Sequence, residues 1–146
     1  MKLFLDTSSL FKLYHQEADS ANVESLFTDY TISAVFLSEV AKIEFSSTVW
    51  KKVRTQEINV SQAHAIIEAF EKDFDKYLFI QIDAIIIEQA RIMLTKYGMQ
   101  GLRTLDSIQL STAVLVNNQA DLFVSIDSLL DSFFQQENLP TQRPAI

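Results

Sequence analysis

The sequence predicts an α/β protein of three layers, with a central parallel sheet of about four to five short strands flanked by helices. Three observations predict it. Short apolar or β-branched runs recur at residues 2–5, 31–37, 79–82 and 122–126. The longer stretches between them carry apolar residues at helical spacing. Strand and helix patterns alternate along the chain, as they do in parallel sheets covered on both faces.

Taken in order, residues 2–5 read as a strand buried on both sides, with Leu3-Phe4-Leu5 a continuous apolar run after Lys2. Asp6-Thr7-Ser8-Ser9 ends it and offers N-caps for a helix through about Tyr14. A second helix is expected from Ala18 to Tyr30, with Ala21, Val23, Leu26 and Phe27 on one face. Residues 31–37 read as the second strand, although so short a run also suits a helix. From Ser38 a helix is expected to turn Val40, Ile43, Phe45 and Val49 inward and to end in Lys51, Lys52 and Arg54, where cations suit the dipole.

Ser61 reads as the cap of a helix running to Tyr77, with His64 on its surface. Together with the preceding helix it would form a hairpin joined near residues 56–60. Asp83 is expected to cap a helix over 84–97, which breaks at Gly98 and Gly101, the two glycines of the chain. Thr104 reads as the next N-cap, placing Asp106 in the first turn of an apolar helix that ends near Asn117-Asn118-Gln119. A strand at 122–126, a helix at 128–136 and a tail punctuated by Pro140 and Pro144 complete the chain.

Length and composition narrow the function. With 146 residues, 48% hydrophobic and 21% charged, residues 1–146 are expected to form one domain with a real core rather than a disordered segment. The absence of cysteine excludes disulfides, thiolate metal sites and a cysteine nucleophile. The apolar start reaches Asp6 too soon for a signal peptide, and no stretch has the length of a membrane span. A cytoplasmic protein without membrane association is the expectation. A net charge of −7 argues against nucleic-acid binding through a broad basic surface. It leaves open an enzyme that holds a phosphodiester through a metal ion.

Four acids stand where such a site would form. Asp6 and Asp127 lie just past the ends of strands, on the rim where parallel sheets build their sites. Asp106 starts a helix on that same rim, and Glu44 sits one to two turns into another. Each also has a plainer reading, as a helix-terminal or solvated charge. If they converge, two carboxylates about 4 Å apart repel by roughly 4 kcal/mol at an effective dielectric near 20. Such a cluster needs either raised pKa values or a cation. Ligation by oxygen alone suits Mg²⁺ or Mn²⁺. The hydroxyls of Thr7, Ser8 and Ser125 flank the acids and are placed to orient a ligand or water, or to cap helices.

The chain resembles the PIN-domain family, in particular the VapC-like toxins of bacterial toxin–antitoxin pairs. The blocks that carry the resemblance are Phe4–Leu10, Leu37–Ser47, Lys51–Thr55, Gly101–Leu110 and Phe123–Asp127. Each is weak alone, but they follow the family's order and span nearly the whole chain. The resemblance implies a Mg²⁺- or Mn²⁺-dependent endoribonuclease of RNA with Asp6, Glu44 and Asp106 as its core acids and Asp127 as the more variable fourth. Asp6, Asp106 and Asp127 would hold the ion, with Glu44 holding it or assisting a water. Glu39 competes for the second position, and Asp121 and Asp131 compete less well with Asp127. Lys42 departs from the family pattern, which usually has an apolar or small residue there. The resemblance also implies a cognate antitoxin and a homodimer, for which Phe11, Tyr14, Trp50, Phe133 and Phe134 would offer apolar surface, although core packing explains most of those residues at least as well. Lys51, Arg54 and Arg103 are candidates for RNA contact, with Lys52 in the same Lys51–Arg54 cluster.

Two other readings compete. One is a catalytically inactive PIN-like interaction module, although a scaffold has no reason to sustain four mutually repelling acids. The other is a Mg²⁺-dependent phosphatase using Asp6 as nucleophile, although Asp6-Thr7-Ser8 lacks a second Asp two residues on.

Overall fold

A computed structural model describes residues 1–146. Its four strands are β1 (Lys2–Leu5), β2 (Ala34–Ser38), β3 (Leu78–Ile80) and β4 (Leu122–Val124). They form one wholly parallel sheet in the order β3-β2-β1-β4, with Leu3 paired to both Val35 and Leu122. The central β1 is the expected doubly buried strand. Side-chain alternation sends Leu3 and Leu5 into one core and Phe4 into the other.

Seven helices cover the sheet: α1 (Thr7–Phe11), α2 (Ser20–Asp29), α3 (Ala41–Arg54), α4 (Val60–Lys72), α5 (Ala84–Tyr97), α6 (Thr104–Leu115) and α7 (Ser128–Gln136). The core beneath Leu3 and Leu5 takes Leu10, Leu26, Phe45 and Phe70 from α1 to α4. The opposite core takes Met93, Leu110, Leu130, Phe133 and Phe134 from α5 to α7, so the three-layer α/β architecture is present. No helix is long and apolar enough to cross a membrane.

Several boundaries differ from expectation for local reasons. Ser38 ends β2 rather than opening α3, and its hydroxyl accepts from the Val40 amide at 3.2 Å. The cap of α4 is Asn59, not Ser61, in a reciprocal pair with Gln62. That helix stops at Lys72, and a single 3₁₀ turn at Phe74–Lys76 leads into β3. Thr104 is the first residue of α6 rather than its cap, and Arg103 ahead of it makes no side-chain cap. Ile43, expected inward, is 72% exposed.

Of the expected apolar surface, Phe11, Phe133 and Phe134 lie in the cores, and Tyr14 and Trp50 are partly buried against one. Core packing accounts for Phe11, Phe133 and Phe134, while Tyr14 and Trp50 keep part of their surface exposed. His64 lies on the surface as expected, its ring edge-on to Trp50.

Candidate active site

The carboxyl edge of β1 and β4 gathers the site. Asp6 continues β1 by donating its amide to the Val124 carbonyl at 3.2 Å, then turns to cap α1, its Oδ1 accepting from the Ser9 amide at 3.0 Å. Ser8 donates to both carboxylate oxygens, at 2.9 and 2.7 Å, and Ser125 donates to Oδ2 at 2.7 Å. Ser8 and Ser125 therefore both bind the same acid, and Asp6 remains only 3% exposed.

Glu44 lies in the first turn of α3. Its Oε1 accepts from Thr7 Oγ1 at 2.9 Å and from Gln109 Nε2 at 2.8 Å, and Gln109 also donates to Thr7 at 3.0 Å. Asp106 occupies the first turn of α6 with no hydrogen bond to its carboxylate, free to take a ligand. Asp127 caps α7, accepting from the Leu129 and Leu130 amides at 2.9 and 3.1 Å.

These four acids line one cleft of about 390 Å³. Burial pushes the Asp6 carboxyl up, outweighing the hydrogen bonds from Ser125, Ser8 and Ser9. Burial also raises Glu44 against the pull of Gln109 and Thr7, with the charges of Asp6 and Asp106 adding to the rise. Asp106 is raised by burial and then by the charge of Asp127, with Arg103 opposing. The acids therefore feel one another, as carboxylates sharing a site do.

The competitors lie elsewhere. Glu39 pairs with Lys42 at 2.8 Å, and Lys42 sits over the Phe79 and Phe74 rings at 4.3 and 5.0 Å, which gives that unexpected lysine a packing role. Asp121 binds the Lys2 amide at the opposite end of β1, and Asp131 lines a separate cleft. Lys51 and Arg54 are exposed outside the acid cleft, and Arg103 lines a second cleft that Glu44 and Asp106 also border. The lysines of the acid cleft are Lys12 and Lys52. Neither Lys12, Glu17 nor Gln109 was singled out from sequence. A signal for Lys52 was present in the four-residue spacing of Glu44, Thr48 and Lys52, which aligns all three on one face of α3.

The donor set is carboxylate and hydroxyl oxygen, which suits a hard divalent cation. No three acids or histidines stand close enough to enclose an ion by themselves. That arrangement still fits Mg²⁺, which is usually held by one or two carboxylates with waters and substrate oxygens completing its shell.

Comparison with known proteins agrees with this architecture. The PIN domain family model matches residues 3–130, and the chain belongs to that family. Among solved structures the chain is similar to VapC20 of Mycobacterium tuberculosis, a sarcin–ricin loop cleaving toxin. The TM-score is 0.71 at 16% identity, over 97% of this chain and 99% of that one. A toxin–antitoxin complex from Klebsiella pneumoniae follows, with TM-score 0.67 at 14% identity over 99% of each chain. VapBC2 from Rickettsia felis, bound to a DNA fragment from its promoter, gives 0.64 at 16% identity over 99% of this chain and 100% of that one. At these identities the likeness is one of fold. No curated protein matches the chain in sequence.

Proposed function

We propose that residues 1–146 act as a single PIN-like domain, a Mg²⁺- or Mn²⁺-dependent endoribonuclease serving as the toxin of a toxin–antitoxin pair. The observation that carries this reading is the convergence of Asp6, Glu44, Asp106 and Asp127, from four different helix starts, on one cleft. A bound divalent ion would lower the pKa of an attacking water and neutralise charge on the scissile phosphate.

Asp6, Asp106 and Asp127 are the residues to hold the ion. Ser8 and Ser125 fix the orientation of Asp6, and Thr7 with Gln109 fix Glu44, which orients the water. The protein is proposed to act in the cytoplasm, as a homodimer, against RNA, with a cognate antitoxin as its partner. Cleavage of a mixed RNA pool in Mg²⁺ or Mn²⁺ tests the reading, beside an EDTA control and the Asp106→Asn variant. Fragments are expected with metal alone. Undiminished cleavage in EDTA or in the variant would sink the assignment.

The lack of a three-acid enclosure favours, as a second reading, an inactive PIN-like interaction module. Calorimetry with millimolar Mn²⁺ separates the two, since the module requires no binding.

A further inference from the structure

The acid cleft has a second end that the proposed chemistry does not use. Glu44, Thr48 and Lys52 follow one another at four-residue steps along α3 and all line the cleft. Lys52 therefore stands about 12 Å along the helix from Glu44, at 1.5 Å of rise per residue. Lys12, immediately after α1, reaches the same place from the other wall. Both ammonium groups close on one carboxylate: Glu17 Oε1 lies 3.1 Å from Lys12 Nζ and Glu17 Oε2 lies 2.9 Å from Lys52 Nζ. Glu57 is a more distant partner of Lys52, at 3.7 Å.

Each lysine side chain is 14% exposed, and the Lys52 ammonium also sits 5.6 Å from the Phe11 ring centre. Their stems are thus packed and their heads aimed at one point, unlike the exposed Lys51 and Arg54. Glu17 is itself positioned, since its amide donates to Ser20 Oγ at 2.8 Å and that hydroxyl is fully buried. The arrangement is two fixed ammonium groups bracketing a two-oxygen anion, within a cleft whose other charged groups are all carboxylates.

We propose that Lys12 and Lys52 form a backbone-phosphate subsite for RNA, with Glu17 standing in for the phosphate until substrate arrives. The subsite takes a phosphate neighbouring the scissile one, because it lies too far along α3 for one phosphate to meet both ends. It explains how a chain of net charge −7 admits a polyanion to an acidic cleft: the cations are concentrated at a single point of the path. Glu17 keeps the two lysines preorganised in the free protein and competes with RNA for them. This subsite rests on the proposed ribonuclease reading.

The pair alternatively serves only to tie α1, the following loop and α3 together. The two roles differ in sign at Glu17. Binding of a short, fluorescein-labelled, mixed-sequence single-stranded RNA is measured by anisotropy across a salt series. The parent is Asp106→Asn, so that no RNA is consumed, and Lys12→Met, Lys52→Met and Glu17→Gln are added to it singly. Methionine keeps the apolar stem. Each lysine variant is expected to weaken binding and to lower the slope of log K against log salt by about 0.7, the value for one lost single-strand phosphate contact. Glu17→Gln is expected to tighten binding by roughly threefold, by releasing both ammonium groups to the phosphate. The midpoint falls under either role, since Glu17 holds both lysines in the free protein, so the sign of the affinity change decides: a structural tie alone would tighten nothing in Glu17→Gln, and that result would overturn the subsite. Equal binding and equal slopes across the set would overturn the subsite and leave the ribonuclease reading intact. Absence of RNA binding by the parent itself would overturn both.

Discussion

Asp6 and Glu17 are carboxylates on the same cleft, and their surroundings push them in opposite directions. Asp6 is bound by hydroxyl and amide donors that carry no charge, and burial outweighs them, so its carboxyl is raised. Glu17 is also pushed up by burial, but the hydrogen bonds from Lys52 and Lys12 together outweigh that and hold it below the usual range. Neutral donors orient an anion without neutralising it, whereas cationic donors do both. The acid end is therefore built to welcome a cation, and the lysine end has already been given its anion.

The largest expected effect tests the acid end. Asp106→Asn should reduce RNA cleavage at least a hundredfold, since loss of an ion's contribution amounts to several kcal/mol of transition-state stabilisation. Its thermal midpoint should hold or rise, because no hydrogen bond of the fold depends on that carboxylate and its loss relieves burial of a charge beside Asp127. A large fall in midpoint would mean that Asp106 is structural.

Gln109→Met should come next. It removes the donor that Glu44 and Thr7 share, in a site where Gln109 is 1% exposed, and should cost about 1–3 kcal/mol in chemical denaturation. Mg²⁺ should then stabilise the native chain by about 1.4 kcal/mol at a tenfold excess over its Kd, a rise of a few degrees over EDTA. That rise should vanish in Asp6→Asn. Its persistence there would place the ion elsewhere.

The pH dependence in EDTA sharpens the contrast. For Asp6, Glu44 and Asp106 the folded chain holds protons that the unfolded chain has released. Stability should therefore fall as pH rises from the ordinary carboxylate values of 3.8 and 4.5 through the raised folded ones. Glu17 has the reverse sign: its contribution is present above 4.5 and is lost as pH falls through the lowered folded value. In melts over a pH series, Asp6→Asn should flatten the decline on the alkaline side and Glu17→Gln the decline on the acid side. The smallest effect belongs to Lys51→Ala and Arg54→Ala, which lie outside the cleft. Each should change RNA affinity by no more than about twofold, as exposed charges do.

Much of this molecule was legible in its sequence. The alternation of short apolar runs with helical spacing determined the parallel sheet and its two helical layers, because burial on both faces requires apolar residues at Leu3, Phe4 and Leu5 of β1. The same logic placed Asp6 and Asp127 on one rim: residues that follow parallel strands must emerge at the same edge. Cap identity was legible only through the third residue on: Gln62 follows Asn59 at capping-box spacing, whereas His64 follows Ser61. Ile43 misled because helical spacing is read within one helix, while its outward direction depends on which face of α3 the sheet covers.

What only the tertiary structure decided were contacts between residues far apart in the chain. Gln109 meets Thr7 and Glu44 because α6 and α3 approach the end of β1 from opposite sides of the sheet. Ser125 meets Asp6 because β4 lies beside β1. Lys12 and Lys52 meet at Glu17 because the loop after α1 folds over the last turns of α3. A hydrophobic period specifies which face of an element is buried. It carries no information on which polar groups two buried faces bring together, and in this cleft those meetings hold Asp6, Glu44 and Glu17 in place.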